Sequence, residues 1–145
     1  MKILALEFSS DRRSVAVVAN GQLCAQAHEA RARESHALAL VNEALRAAGL
    51  EREQINCLAI GLGPGSYTGI RAAIALAQGW QLARDTEAIG VSSVECLAGQ
   101  AHAEKMFGRV SMVIDAQRNE FYLARYEIAA SQSGSFERTG ATHRV

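Results

Sequence analysis

Short apolar runs and longer segments of helical periodicity alternate along the chain, and this order predicts a mixed α/β fold. Residues 2–8 form an apolar run that suits a central strand. Residues 14–19 and 22–27 are joined by Asn20-Gly21, the strongest two-residue hairpin signal. Three strands are therefore predicted to open the chain.

Helices and strands then alternate as far as about residue 107. In chain order we predict a helix over 35–48, a strand over 55–60, a helix over 68–83, a strand over 87–91 and a helix that starts near Ser92 or Ser93. Ser35 is the predicted N-cap of the first helix, and Gly49 provides its C-terminal stop. The predicted order of this part is βββαβαβα.

The strand pattern begins again after residue 107. Residues 112–128 resemble residues 4–19, since both contain a strand that ends in an acid, a turn and a second strand. Glu7 and Asp115 take corresponding places in the two copies. We therefore predict a first lobe over 1–107 and a partial second lobe over 108–145, which has room for strands and little else.

The second predicted helix is apolar on most of its surface. Its strongly polar interior positions form one narrow stripe of Arg71, Gln78 and Gln81. Ala75, Gly79 and Ala83 recur every four residues and form a smooth edge that allows close approach of another helix. Burial inside the chain and contact with a partner protein explain this composition about equally well. The larger apolar side chains of this helix are Ile70, Ile74, Ala77 and Trp80, and the apolar face of the first helix consists of Leu38, Val41, Leu45 and Ala48.

A glycine-rich loop lies between the strand over 55–60 and the second helix. Its characteristic residues are Gly61, Gly63, Pro64, Gly65, Ser66, Thr68, Gly69 and Arg71. Glycines before a helix N-terminus suit a bound anion, and they equally suit tight packing of strand against helix. The loop lacks the Lys-Ser/Thr ending of a P-loop and the spacing of a dinucleotide fingerprint, so the motif alone does not decide between these uses.

Acids at the ends of the first strands suggest a nucleotide site. Glu7 and Asp115, with the hydroxyls of Ser9 and Ser10, could hold a hydrated Mg²⁺ ion and nucleotide phosphates between two lobes. The alternative interpretation is a pair of solvated strand ends. No catalytic constellation is recognisable elsewhere in the sequence.

Composition excludes several classes of protein. Lys+Arg and Asp+Glu balance at 15 each, which argues against a protein that grips nucleic acid alone. The four histidines form no HxxxH or HExxH pair, so no metal site is predicted.

Three widely spaced cysteines suggest buried thiols in a reducing compartment. The N-terminus reaches an acid after a few apolar residues, unlike a secretory signal or membrane span, and we expect a cytoplasmic protein.

The glycine loop also carries a family resemblance. Residues 61–71 match G-x-G-P-G-S-[FY]-T-G-[VI]-R, a motif of the bacterial TsaB (YeaZ) family, and residues 3–6, 90–98 and 114–126 support the match. The resemblance implies the duplicated, ribonuclease H-like fold of actin, sugar kinases and Hsp70. It further implies a second lobe that is truncated in this chain, because family members usually continue well beyond residue 145.

The resemblance implies a partner subunit without catalytic activity. Such a subunit pairs with a TsaD-type catalytic subunit in threonylcarbamoylation of adenosine in tRNA, contacts tRNA only through the complex, and forms a homodimer when alone. The first two helices would supply the surface that meets this enzyme or a second copy. The contact residues expected on it are Leu38, Val41, Leu45, Ile70, Ile74, Ala77 and Trp80. An ATP-dependent phosphotransferase or ATPase of the same fold class is the alternative, with nucleotide and magnesium at a shared interface.

Two residues depart from the family pattern. Glu7 stands where the family usually has Asp, and Gln117 replaces the Arg of the usual I-D-A-R. The longer glutamate side chain moves the carboxylate and weakens the case for a metal or nucleotide there. The shorter length leads us to expect an uncovered face on the second sheet, and therefore self-association.

Overall fold

The chain folds into two compact units in the computed structural model, which describes residues 1–30, 37–117, 120–130, 136–140 and 143–144. The first unit comprises residues 1–62 and 66–91, and the second comprises residues 63–65 and 92–145. Each unit has its own sheet and its own apolar core. The mixed α/β class predicted from the sequence is therefore correct.

The first unit is built on a five-stranded sheet. Its elements are β1 (Lys2–Glu7), β2 (Arg12–Ala19), β3 (Gln22–Ala30), α1 (Ala37–Ala48), a short 3-10 helix (Arg52–Gln54), β4 (Cys57–Gly61), α2 (Tyr67–Arg84) and β5 (Glu87–Val91). The strand order is β3-β2-β1-β4-β5. Strands β1 to β3 pair antiparallel, whereas β4 pairs parallel with both β1 and β5. Strand β1 therefore has a neighbour on each side.

Local sequence explains the main boundaries of this unit. Asn20 and Gly21 both have positive φ, 52° and 78°, as a type I′ hairpin turn between β2 and β3 requires. Helix α1 ends in a tight C-terminal turn in which Leu50 N–H donates to Leu45 O at 3.0 Å. The predicted N-cap of α1, Ser35, lies outside the described residues.

One core joins both helices to the sheet. Leu4, Leu6 and Phe8 of the first strand segment are almost completely buried in it. The helices contribute Leu40, Val41, Ala44 and Leu45 from α1, and Ala73, Ala77 and Trp80 from α2. Since each large apolar side chain contributes about 1.5–3 kcal/mol on burial, this cluster is the main source of the first unit's stability.

The second unit combines one helix with a smaller sheet. Its elements are α3 (Ser93–Ala103), β6 (Gly108–Gln117), β7 (Glu120–Ile128), β8 (Phe136–Arg138) and β9 (His143–Arg144). Strand β7 lies between β6 and β8 and also pairs with β9, all antiparallel. Val94 and Ala98 of α3 pack on Met112, Tyr126 and Ile128. The β6–β7 hairpin is the strand restart that the sequence pattern predicted.

The division between the units differs from the predicted one. The sequence placed α3 in a first lobe that ended at residue 107, whereas in the structure α3 groups with the second unit from Ser92 onward. The cause is the packing of its Val94 and Ala98 on β6 and β7, which periodicity along the chain cannot reveal. The second unit is therefore more than a set of strands.

The face of the second sheet that points away from α3 carries exposed apolar side chains. Val113 of β6 is 58% exposed and Phe121 of β7 is 50% exposed. Both alternate with residues that pack under α3, such as Met112 and Tyr126. The self-association expected from the sequence stays a prediction.

The three cysteines differ in accessibility, which corrects the expectation that all are buried. Cys57 is buried in β4, whereas Cys24 and Cys96 are exposed. Burial, and secondarily the negative charge of Glu87, raises the pKa of the Cys57 thiol. We expect a thiol reagent at neutral pH to modify Cys24 and Cys96 at least about tenfold faster than Cys57, because only accessible thiolates react.

Peptide mapping by mass spectrometry after short exposure to iodoacetamide would measure these rates. A Cys57 that reacted as fast as the other two would contradict the burial of β4. In urea all three rates should converge, which provides the internal control.

Candidate functional site

The glycine loop between β4 and α2 is held by hydrogen bonds within the protein. Ser66 N–H donates to Ser9 O at 2.6 Å, and Gly69 N–H donates to the Oγ of Ser66, the N-cap of α2, at 3.2 Å. Within the second unit, Gly63 N–H donates to Ser93 Oγ at 3.1 Å. The backbone N–H groups of Gly63, Ser66 and Gly69 are thus already bonded. The arrangement favours a packing turn over a phosphate cradle.

Gly69 brings the first turn of α2 against the end of β1. A Cβ at Gly69 would overlap the carbonyl oxygen of Phe8, so no larger residue fits without a backbone shift. The neighbouring Thr68 and Arg71 are exposed, and the Arg71 guanidinium lies 5.2 Å from the centre of the Tyr67 ring. The loop residues therefore divide into those that fix the helix and those that face solvent.

Three of the four residues predicted to bind a nucleotide gather at the turn between β1 and β2. The Oε1 of Glu7 accepts a hydrogen bond from Ser9 N–H at 2.7 Å, and the carboxylate lies against Gly61, where a Cβ would stand. Ser10 Oγ donates to Arg12 O at 3.0 Å and accepts from Arg12 N–H at 3.2 Å. These polar groups stabilise the turn itself.

The fourth residue, Asp115, lies near the end of β6 in the second unit. The set predicted for Mg²⁺ and phosphate is therefore divided between the two units. Gln117 ends β6, and its side chain lies outside the described part of the chain. Among the described residues, no group of three His, Cys, Asp or Glu side chains is arranged to hold a metal ion.

A groove of about 510 Å³ lies between α1 and α2. Its apolar part includes Leu38, which is 58% exposed, and the small residues Ala75, Gly79 and Ala83 of α2. Polar residues stand at its rim, where Arg84 forms an ion pair with Glu53 and Arg52 donates to Asn42 Oδ1 at 2.6 Å. The remaining lining residues are Ala37, Ala72, Leu76 and Trp80. The groove can accept an apolar helix or side chain.

The structure corrects most of the predicted partner-contact residues. Val41, Leu45 and Ala77 are buried in the core of the first unit, with exposures of 0%, 4% and 1%. Trp80 also packs in this core, although its edge lines the groove. Such side chains already have partners within the chain, so they cannot supply an outer contact surface.

The other predicted contact residues have different positions. Leu38 lines the groove, while Ile70 and Ile74 are half-buried and Ile74 packs against the core. Ala72, Leu76 and the charged rim also line the groove, and no sequence pattern identified them. The four-residue spacing of Ala75, Gly79 and Ala83 did identify one wall of the groove.

Every helix in the described residues is too short or too polar to cross a lipid bilayer. This finding is in line with the charged rim of the groove and with the mixed composition of α1 and α2.

Comparison with known proteins identifies relatives over most of the chain. The family described as TsaD, tRNA N6-adenosine threonylcarbamoyltransferase, matches residues 22–137. The tRNA threonylcarbamoyladenosine biosynthesis protein TsaB of Escherichia coli K12 is 36% identical in an alignment of 133 positions that covers 88% of this chain. The protein of the same name from Haemophilus influenzae KW20 is 32% identical in an alignment of 144 positions that covers 94% of this chain.

Structure comparison agrees with these sequence matches. YeaZ from Pseudomonas aeruginosa superimposes with a TM-score of 0.86 and 31% sequence identity, over 99% of this chain and 67% of that one. The chain spans 55% and 59% of the lengths of the Escherichia coli and Haemophilus influenzae proteins. With matches of this extent in both sequence and structure, the chain belongs to the TsaB/YeaZ family.

Proposed function

We propose that the chain is a partner subunit, without catalytic activity of its own, that pairs with a TsaD-type enzyme in threonylcarbamoylation of adenosine in tRNA. Two relatives bear the name of tRNA threonylcarbamoyladenosine biosynthesis proteins, and the matching family profile is that of the transferase. The proposed site of action is the cytoplasm, and tRNA is contacted only through the complex.

The groove between α1 and α2 is the observation that carries this proposal. Leu38, Ala75 and Gly79 form an accessible apolar strip, and small residues let the backbone of a partner helix approach closely. The polar rim formed by Glu53 and Arg84 would fix the register of such a helix. When the enzyme is absent, the same groove would pair with a second copy of the chain.

The polar residues at the β1–β2 turn support a role without catalysis. The Glu7 carboxylate accepts from the Ser9 backbone N–H, and the Ser10 hydroxyl bonds to the backbone of Arg12. Both side chains are among those that an ATPase would need for Mg²⁺ and phosphate. We further propose that the two sheets are lobes of a duplicated ribonuclease H-like fold, because each begins with an equivalent antiparallel hairpin.

An arginine introduced at Ala75 tests the proposed interface. The longer charged side chain would enter the groove and occupy the space proposed for the partner helix. We expect the affinity for the TsaD-type enzyme of the same organism to fall by about a hundredfold, as it does when a residue at the centre of an interface is disrupted. Isothermal titration calorimetry gives the affinity. Gln81→Arg is the matched control, since Gln81 is exposed on α2 but does not line the groove.

Equal affinity for the Ala75→Arg and unsubstituted chains would reject the groove as the contact surface. Binding of Mg-ATP to the isolated chain at micromolar concentration, measured in the same calorimeter, would instead favour the phosphotransferase or ATPase alternative.

A further inference from the structure

The groove between α1 and α2 is bordered by a buried polar group that no hydrogen bond of the described residues satisfies. Trp80 lines this groove and is only 9% exposed. Its indole Nε1 has no hydrogen-bond partner, and no other buried side-chain nitrogen or oxygen among the described groove residues is in that state. Buried N–H groups in proteins are nearly always bonded, so the one at Trp80 calls for an explanation.

The side chains next to Trp80 on the groove wall are apolar. Leu76 and Ala83 lie about one turn before and after Trp80 along α2, and both line the groove. The carboxylate of Glu53 stands at the rim, where it is paired with Arg84. The indole N–H is therefore a donor in apolar surroundings, where a hydrogen bond is strong and an unbonded group is costly.

The indole can reach the groove without disruption of the core. Trp80 belongs to the core of the first unit on one side and borders the groove on the other. A Cβ placed on the adjacent Gly79 would meet nothing within 4 Å outside its own helix and chain neighbours. The wall beside the ring is thus open, and a rotation about the side-chain torsions of Trp80 would bring the covered N–H to the groove.

We infer that Trp80 donates its indole N–H to a neutral hydrogen-bond acceptor on the helix that occupies the groove. This inference rests on the proposed function, and the helix is one of the TsaD-type enzyme. Its contact face consists of small residues, because Ala75 and Gly79 allow close approach, and a Ser or Thr hydroxyl lies opposite Trp80. A carboxylate does not fit, since it would lose its hydration where Arg84 is already paired with Glu53.

The bond would make the groove selective. Apolar contact with Leu38 and the small residues of α2 accepts any helix with a smooth face. A site that donates a hydrogen bond rejects a ligand without an acceptor, because the buried donor is then left unbonded. Trp80 therefore distinguishes the correct partner helix from other apolar helices.

Nuclear magnetic resonance observes this N–H directly. Trp80 is the only tryptophan of the chain, so the ¹⁵N-labelled protein gives a single indole N–H resonance. On addition of the unlabelled TsaD-type enzyme of the same organism, we expect the indole proton to move downfield. Its exchange with solvent should slow by at least about tenfold, since a hydrogen bond must then open first.

Calorimetry on the same samples separates the inference from the proposed function. A complex that forms while the indole resonance keeps its shift and exchange rate would overturn the inference and leave the partner role intact. Failure to form any complex would overturn both. An indole N–H that exchanges as slowly before addition of the enzyme as after it would also overturn the inference, because the donor would already be bonded.

Replacement of the indole N–H by sulfur provides a second test, which leaves the shape of the ring unchanged. Benzothienylalanine in place of Trp80 should lower the affinity for the enzyme about tenfold. The urea midpoint of the free chain should stay equal or rise, because an unbonded buried N–H has been removed. A merely structural role of Trp80 would leave the affinity unchanged, and that result would contradict the inference even where Ala75→Arg abolishes binding.

Discussion

Replacement of Gly69 by alanine is expected to lower the free energy of unfolding by about 3 kcal/mol, a large effect for the addition of one methyl group. The added Cβ would overlap the carbonyl oxygen of Phe8, a backbone atom that cannot turn aside. Either α2 or the end of β1 must then move, and the buried Phe8 moves with it. Urea denaturation followed by circular dichroism at fixed protein concentration would measure the loss.

Gly79→Ala is the matched control, because Gly79 lies in the same helix. A Cβ at Gly79 meets nothing within 4 Å, so alanine should stabilise the protein by up to about 1 kcal/mol through its higher helix propensity. The two identical substitutions should therefore change stability in opposite directions. A Gly69→Ala variant as stable as the original would show that α2 does not approach β1 so closely.

Arginine at Val41 is expected to unfold the first unit, whereas arginine at Leu38 is expected to leave it folded. Val41 is completely buried, and an unpaired charge there would cost about 4 kcal/mol or more, a large part of the 5–15 kcal/mol that stabilises a typical domain. Leu38, three residues earlier on α1, lines the open groove, and its replacement should change stability by less than about 1 kcal/mol.

Circular dichroism and thermal denaturation of the two variants would measure this contrast. Both add the same charge to the same helix, so differences in net charge cancel. Arginine equals leucine and exceeds valine in helix propensity, so propensity cannot explain a loss of stability in Val41→Arg. A stable Val41→Arg protein would mean that α1 does not pack on the sheet through this face. If Leu38→Arg remains folded and loses binding to the TsaD-type enzyme, the loss cannot be attributed to unfolding.

Elements specified by local chemistry could be predicted from the sequence. Asn20-Gly21 predicted the hairpin between β2 and β3, since few other dipeptides accept two positive φ angles. Helix α2 was predicted from its helical periodicity to within one residue at each end. Its C-cap residue, Asp85, adopts the left-handed conformation without being glycine and provided no signal for the helix end.

Packing against the sheet determined which face of α1 is buried, and local sequence did not. In α1, alanine and leucine occupy consecutive positions from Ala37 to Leu40, so several faces of the helix are equally apolar. Contacts with β2 and β3 select the face that contains Leu40 and Ala44, and they leave Leu38 at the edge. Of the predicted apolar face, Val41 and Leu45 are buried whereas Leu38 is exposed, and the family resemblance had assigned all three to partner contact.

The candidate site was predictable only in part. The small residues of α2 predicted a surface that another helix can approach closely. The groove is also lined by Arg52 and Glu53, which lie in a different part of the chain and were not predicted. The single narrow polar stripe of α2 does not determine which of its apolar sides is buried, so the burial of Trp80 in the core could not be predicted. The membership of α3 likewise depends on long-range contacts with β6 and β7.

The contact between Glu7 and Gly61 constrains the order in which these two positions can evolve. With glutamate at position 7, an alanine at position 61 would displace the carboxylate from the place where it accepts a hydrogen bond from Ser9 N–H. A shorter acid at position 7 would withdraw the carboxylate first and leave room for alanine at position 61 afterwards. Of the two mutational routes between these states, only the one that begins at position 7 avoids an intermediate with a displaced glutamate, so the two sites should show epistasis in a deep mutational scan.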